Sequence, residues 1–119
     1  MSSVDDSFPE PPAGLCAGGL ALWASLTGSF DLASHELVIL KEACRTVDLL
    51  DVMQLSIDRD GPVLPWGAGT RANPAAVEAR QSRITLARLF ASLGIPADGE
   101  GRTGQRGAAR GVYRMDGAA

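Results

Sequence analysis

The residues of this 119-residue chain best suited to chemistry are cations and carboxylates set at helical spacing. Arg102, Arg106, Arg110 and Arg114 recur every four residues within glycine-rich sequence. Four guanidiniums on a flexible segment suit contacts with phosphates or docking to an acidic partner. Lys41 and Arg45 lie four apart, and Arg80 and Arg83 three apart, so each pair puts two positive charges on one helix face. Such faces can touch phosphates, or they can be solvated and neutralised by Glu42, Asp48 and Glu78. Asp48 and Asp51, three apart, are the candidate metal ligands, as in acidic nuclease sites. With no third ligand in view they read instead as a solvated or inter-subunit face, with Arg45 available to pair with Asp48.

Catalytic patterns are wanting. The one histidine, His35, falls in the first turn of an expected helix, where a capping or solvent-facing role is expected of it. There is no HExxH, no nucleophile elbow, no GxxxxGK[ST] loop and no dinucleotide glycine fingerprint, and the single lysine, Lys41, has no glycine loop ahead of it. No catalytic residue, metal site or cofactor is expected, and an ATP-driven motor is excluded. Trp23 belongs to an apolar helix face and is expected in the core. Trp66, in a glycine-rich stretch followed by Arg71, is expected to fold back over the helices, although an aromatic beside a cation can also stack on bases.

Charge is unevenly spread. Residues 1–12 carry three acids and no base; residues 13–96 carry seven basic and eight acidic residues; residues 97–119 carry four arginines against three acids. A uniformly basic nucleic-acid binder is thereby excluded, so any DNA contact must use local patches or multiply a weak patch by symmetry. Cys16 and Cys44 have neither a CxxC partner nor a nearby histidine, which points to reduced thiols and a cytoplasmic setting. The acidic N-terminus lacks a basic n-region, and no apolar run approaches the ~20 residues of a membrane span.

Three helices must position these groups. Residues 1–12, rich in proline and acids, read as a disordered lead. Leu15, Leu22, Trp23 and Leu26 mark a first helix, weakened by Gly18 and Gly19, which either fray its first turn or let it approach a neighbour closely; Gly28 is expected to end it. Ser34 is a good N-cap for a second helix, with Glu36 at its positive end. That helix carries one stripe of Leu37, Leu40, Cys44, Val47 and Leu55 and another of Ile39, Ala43, Leu50 and Ile57. An apolar surface so wide implies more than one partner, and Leu50, Leu55 and Ile57 are the candidate oligomer contacts. Asp58 to Pro62 breaks the helix, and the stretch from Val63 to Thr70 forms either a small β-hairpin or an ordered loop. Asn73-Pro74 starts a third helix through Val77, Ile84, Leu86, Leu89, Phe90 and Leu93, which stops at Gly94. Residues 97–119 read as a flexible Gly/Arg-rich tail. The expected fold is therefore all-α, three main helices with a short β-like loop between the second and third and disordered termini. The packed segment is roughly 80 residues, small enough to bury only ~60–65% of its unfolded surface, so oligomerisation is expected.

The order of these features carries a resemblance. Ala21-Leu22-Trp23, then Phe30-Asp31-Leu32 leading into Glu36-Leu37-Val38-Ile39-Leu40, then Glu42-Ala43-Cys44-Arg45 and Asp48-Leu49-Leu50-Asp51, resembles the small terminase subunits of tailed phages and prophages. So do Asp60-Gly61-Pro62 ahead of a glycine-containing loop, Asn73-Pro74 where such proteins often have His-Pro, and Glu78-Ala79-Arg80 opening a helix that ends Leu93-Gly94-Ile95-Pro96. The likeness covers residues 14–96, and the arginine tail looks like those of actinobacterial phage members. It implies a ring-forming, non-catalytic homo-oligomer in the bacterial cytoplasm that recognises double-stranded viral DNA and regulates a large subunit carrying ATPase and nuclease. The rival from another class is a helical adaptor or scaffold that binds only protein.

Overall fold

A computed structural model describes residues 8–95. Residues 1–7 of the expected lead over residues 1–12, and the tail with Arg102, Arg106, Arg110 and Arg114, lie outside the described residues. The chain is mostly helical: α1 (Ala17–Ser29), α2 (Ser34–Asp60), a two-stranded antiparallel sheet of β1 (Val63–Trp66) and β2 (Gly69–Ala72), and α3 (Pro74–Ser92). The stretch left open between hairpin and loop is thus a hairpin, with Val63 opposite Ala72 and Trp66 opposite Gly69.

Helix ends follow local chemistry. α1 runs through Gly28 to Ser29, past the expected stop, because a single glycine costs only ~1 kcal/mol in a helix whose other face is packed. α2 starts one residue earlier than the serine signal suggests: Ala33 occupies the N-cap, and Ser34 is the first helical residue. Alanine has no side-chain acceptor, so Glu36 supplies the cap, its Oε1 accepting from the Ala33 N–H at 2.8 Å. α2 continues for 27 residues, about 40 Å, and ends at Gly61 with φ of +84°. Asn73 then ties the next turn together. Its Oδ1 accepts from the Ala75 N–H at 2.9 Å, its Nδ2 donates to the Gly61 carbonyl at 2.8 Å, and its own N–H donates to the Pro62 carbonyl at 2.8 Å. One buried side chain thus joins the end of α2 to the start of α3. α3 closes with Ile95 N–H on the Phe90 carbonyl and Gly94 N–H on the Ala91 carbonyl, Gly94 taking φ of +79°.

The core is asymmetric along α2. Trp23, Leu26, Leu40, Cys44 and Leu93 form one buried cluster, flanked by Leu22, Phe30, Leu37 and Ile95, so all three helices meet over the N-terminal half of α2. Beyond Asp51 the cover thins, because the first turn of α1 meets α2 at Asp48 and Asp51 and goes no further. There only α3 packs on α2, with Met53 and Ala79 buried.

The α1–α2 approach depends on glycine. A Cβ on Gly19 would stand 2.6 Å from Asp48 Oδ2 and 2.9 Å from the Cys44 carbonyl oxygen, whereas one on Gly18 would meet Asp51 Oδ2 at 2.7 Å and a Val47 methyl at 3.0 Å. The first obstacle includes backbone; the second is side chain alone. Gly19→Ala should therefore destabilise the fold by about 1–3 kcal/mol despite alanine's better helix propensity. Gly18→Ala, where the Asp51 carboxylate can swing away, should stay within about 1 kcal/mol of the unaltered chain in urea unfolding. Equal effects at the two positions would refute this account of the contact.

Candidate functional site

Asp48 has a role that its sequence neighbours did not suggest. Cys16, at the N-cap of α1, gives no side-chain cap. Asp48 reaches across from α2 instead: its Oδ2 accepts from the Cys16 N–H and its Oδ1 from the Gly19 N–H, both at 2.7 Å. A carboxylate therefore meets two of the unpaired donors at the positive end of α1, where the peptide dipoles favour it. The expected pairing of Asp48 with Arg45 is not found. Arg45 Nη1 lies 3.1 Å from Glu42 Oε2, on an exposed surface where such a pair contributes little. Among the described residues no group of three or more His, Cys, Asp or Glu side chains is placed to hold a metal ion.

Directly beneath this clamp is Cys44, fully buried in the core cluster. Burial, with the nearby Asp48 charge adding to it, pushes the Cys44 thiol from 9.0 up to about 11. Cys16 is exposed, so the two thiols are free and differ in accessibility.

The cationic candidates are spread out. Lys41 is half-buried and Arg45 exposed, both on the N-terminal half of α2. On α3, Arg80 is exposed toward solvent while Arg83 turns to α2, its Nη2 donating to Gln54 Oε1 at 2.9 Å. Since Gln54 is nine positions beyond Arg45, the two pairs are separated by about 14 Å of helix and form no single patch within one chain. Of the candidate oligomer contacts, Leu55 is 69% exposed, while Leu50 and Ile57 are half-buried on the same side of α2 as Met53. Val38, Leu49 and Val52, between 50 and 61% exposed, form a separate open stripe of α2, and Leu55 borders it near Val52. Those three residues, spaced eleven and three apart, were legible as a helical stripe.

Trp23 is buried as expected, its indole N–H donating to the Pro9 carbonyl at 3.0 Å. Residues 8–11, which the sequence places in the disordered lead, run against α1 and border an open, mostly apolar groove of about 650 Å³ with Leu20, Ala24 and Thr27. The groove's donors are used internally: the Thr27 hydroxyl donates to the Trp23 carbonyl at 2.7 Å. Trp66 contradicts expectation. It stands 63% exposed on the hairpin rather than over the helices, with the Arg71 guanidinium 4.4 Å from its ring centroid. The reason is strand geometry: β1 and β2 join through a two-residue turn at Gly67, φ +60°, and the register sets Leu64, Trp66, Gly69 and Arg71 on one face.

Comparison with protein-family models, with curated proteins and with solved structures gives no match to this chain in any of the three. Among the described residues no helix is long and apolar enough to cross a membrane.

The raised Cys44 thiol has a consequence for stability. Below pH 9 the thiol is neutral in both folded and unfolded chains and costs folding nothing. Between pH 9 and about 11 the unfolded chain gives up the proton first, so stability should fall by about 2–3 kcal/mol across that window. Urea unfolding of Cys44→Ala should show a correspondingly flatter alkaline dependence. Identical pH profiles for the two proteins would rule out Cys44 as the source.

Proposed function

We propose that this chain is a terminase small subunit: a non-catalytic homo-oligomer, in ring form, that recognises double-stranded viral DNA and regulates a large ATPase and nuclease subunit in the cytoplasm of a bacterial host. The observation that carries this reading is the open face of α2. Val38, Leu49, Val52 and Leu55 stand exposed along a helix whose opposite side is already packed by α1 and α3. Exposed apolar side chains on the side of α2 that the chain itself does not cover, even with Lys41 and Arg45 among them, suit a second partner. The succession of short helix, long helix, hairpin and helix fits the same resemblance. DNA contact in this reading uses Lys41, Arg45, Arg80 and Arg83 together with Arg102, Arg106, Arg110 and Arg114, repeated by every subunit.

The protein-only adaptor has one observation in its favour, the separation of the two basic pairs on α2 and α3. Two measurements divide the readings. Light scattering should return a large closed multiple of the 12.4 kDa chain, and Val52→Asp with Leu55→Asp should reduce it to monomer while retaining helix content. A monodisperse monomer for the unaltered protein at micromolar concentration would dispose of the assembly.

DNA binding by the full chain should fall steeply with added salt, as counterion release requires. A chain ending at Pro96 should assemble unchanged but bind duplex DNA more weakly and with a shallower salt slope. If the full chain shows no duplex affinity at low salt, the adaptor reading takes its place.

A further inference from the structure

We propose that the β1–β2 hairpin is a platform for unpaired nucleotides, a base stacking on Trp66 while Arg71 meets the adjoining phosphate. This goes beyond the duplex recognition proposed above and does not require assembly.

The geometry supplies three conditions. First, the indole is held open in a fixed orientation. Asn73 anchors the hairpin's base to Gly61, and Gly69, directly across from Trp66, has no side chain to cover the ring. A Cβ added at Gly69 or at Gly67 would meet nothing within 4 Å, so the space around the tip is free. Second, the Arg71 guanidinium lies over one face of the indole, 4.4 Å from its centroid, which places a cation directly beside the ring. The other side is left for a second flat group. Third, the charge on the hairpin itself is positive. From Gly61 to Val77 there is no carboxylate and Arg71 is the only charge, while the preceding acid, Asp60, is engaged by Arg59 at 2.9 Å.

Other occupants fit less well. Strand addition by another chain meets Pro65 on the β1 edge. The Asn73 N–H to Pro62 carbonyl bond, followed through the register, makes Leu64 and Arg71 a hydrogen-bonded pair and turns the Pro65 position outward, where it has no N–H to give. A purely apolar partner would leave Arg71 desolvated without a counter-charge. A duplex keeps its bases stacked inside, and opening a step costs a few kcal/mol that a single arginine does not offset. An unpaired nucleotide offers a flat π face and a phosphate together, which is the combination this hairpin presents.

The test uses the full chain and a thymidine oligonucleotide of about ten residues, a length within the site sizes typical of single-strand binders. Trp66, exposed, emits to the red of buried Trp23, so its quenching can be followed separately. Quenching should be saturable and salt-sensitive. Trp66→Leu should abolish it and weaken binding, followed by anisotropy of a labelled oligonucleotide, by roughly 5- to 100-fold, the range of one lost stacking contact. Arg71→Gln, which leaves the indole in place, should weaken binding and lower the salt slope, and a duplex of equal length should compete poorly. The proposal fails if no quenching occurs, if Trp66→Leu binds the oligonucleotide as tightly as the unaltered chain, if duplex competes equally, or if Trp66→Leu lowers the solution mass, which would make the hairpin a subunit contact. Loss of duplex binding or of assembly with the quenching intact would count against the terminase reading and leave this one standing.

Discussion

The seating of α1 on α2 through Asp48 is the constraint on which the rest of the structure turns. Two short hydrogen bonds from backbone N–H groups to one carboxylate satisfy donors that the sequence at the start of α1 leaves without a local cap. That contact needs a residue with no side chain at position 19, where a Cβ would meet the Cys44 carbonyl, and Gly19 meets the need at some cost in helix propensity. With the end of α1 pinned there, Trp23 and Leu26 lie over Leu40 and Cys44, and the return of α3 closes the cluster with Leu93. The charge at Asp48 also raises the cost of ionising Cys44, so the polar clamp and the apolar core are electrostatically linked.

The same seating decides where the molecule is unfinished. Because the first turn of α1 stops at Asp48 and Asp51, the last two turns of α2 have one neighbour, α3, and the side away from it carries Val52 and Leu55. The hairpin extends from this thinner end, tied at its base by Asn73. One end of the chain is therefore a three-helix core sufficient to fix the fold, and the other is a two-helix stem with apolar side chains and an aromatic–cation pair in water. Exposed groups of this size lose nothing by meeting a partner.

Much of this was legible in the sequence, and the exceptions share a cause. The three helices, the Asn73-Pro74 start and the Gly94 stop follow from spacing and capping, which are local. Even the ambiguity at Gly18-Gly19, fraying or close approach, was local and correctly posed. What escaped was the partner: nothing in the sequence says that the donors of Cys16 and Gly19 meet Asp48, some thirty residues away, so Asp48 was assigned to its helical neighbour Arg45. Leu55 was placed in line with Leu40 and Cys44 by periodicity and does lie near that side of α2. Periodicity could not reveal that α1 ends before reaching it. Trp66 was misjudged because burial is the usual fate of a tryptophan, yet the signal was present: a two-residue turn at Gly67-Ala68 puts residues 66 and 71 on the same face of a hairpin.

The scattering of the cations bears on how the proposed function would work. Within one chain the Lys41–Arg45 and Arg80–Arg83 faces are too far apart for a single phosphate cluster, and Glu42 and Gln54 already engage Arg45 and Arg83. A monomer so built would hold DNA weakly at physiological salt, since few counterions would be released per encounter. Repetition changes the arithmetic. Copies joined into one assembly would repeat each cation once per subunit, and each added contact would act at the high effective concentration set by the assembly. Affinity would then depend on the number of subunits engaged rather than on the strength of any one site.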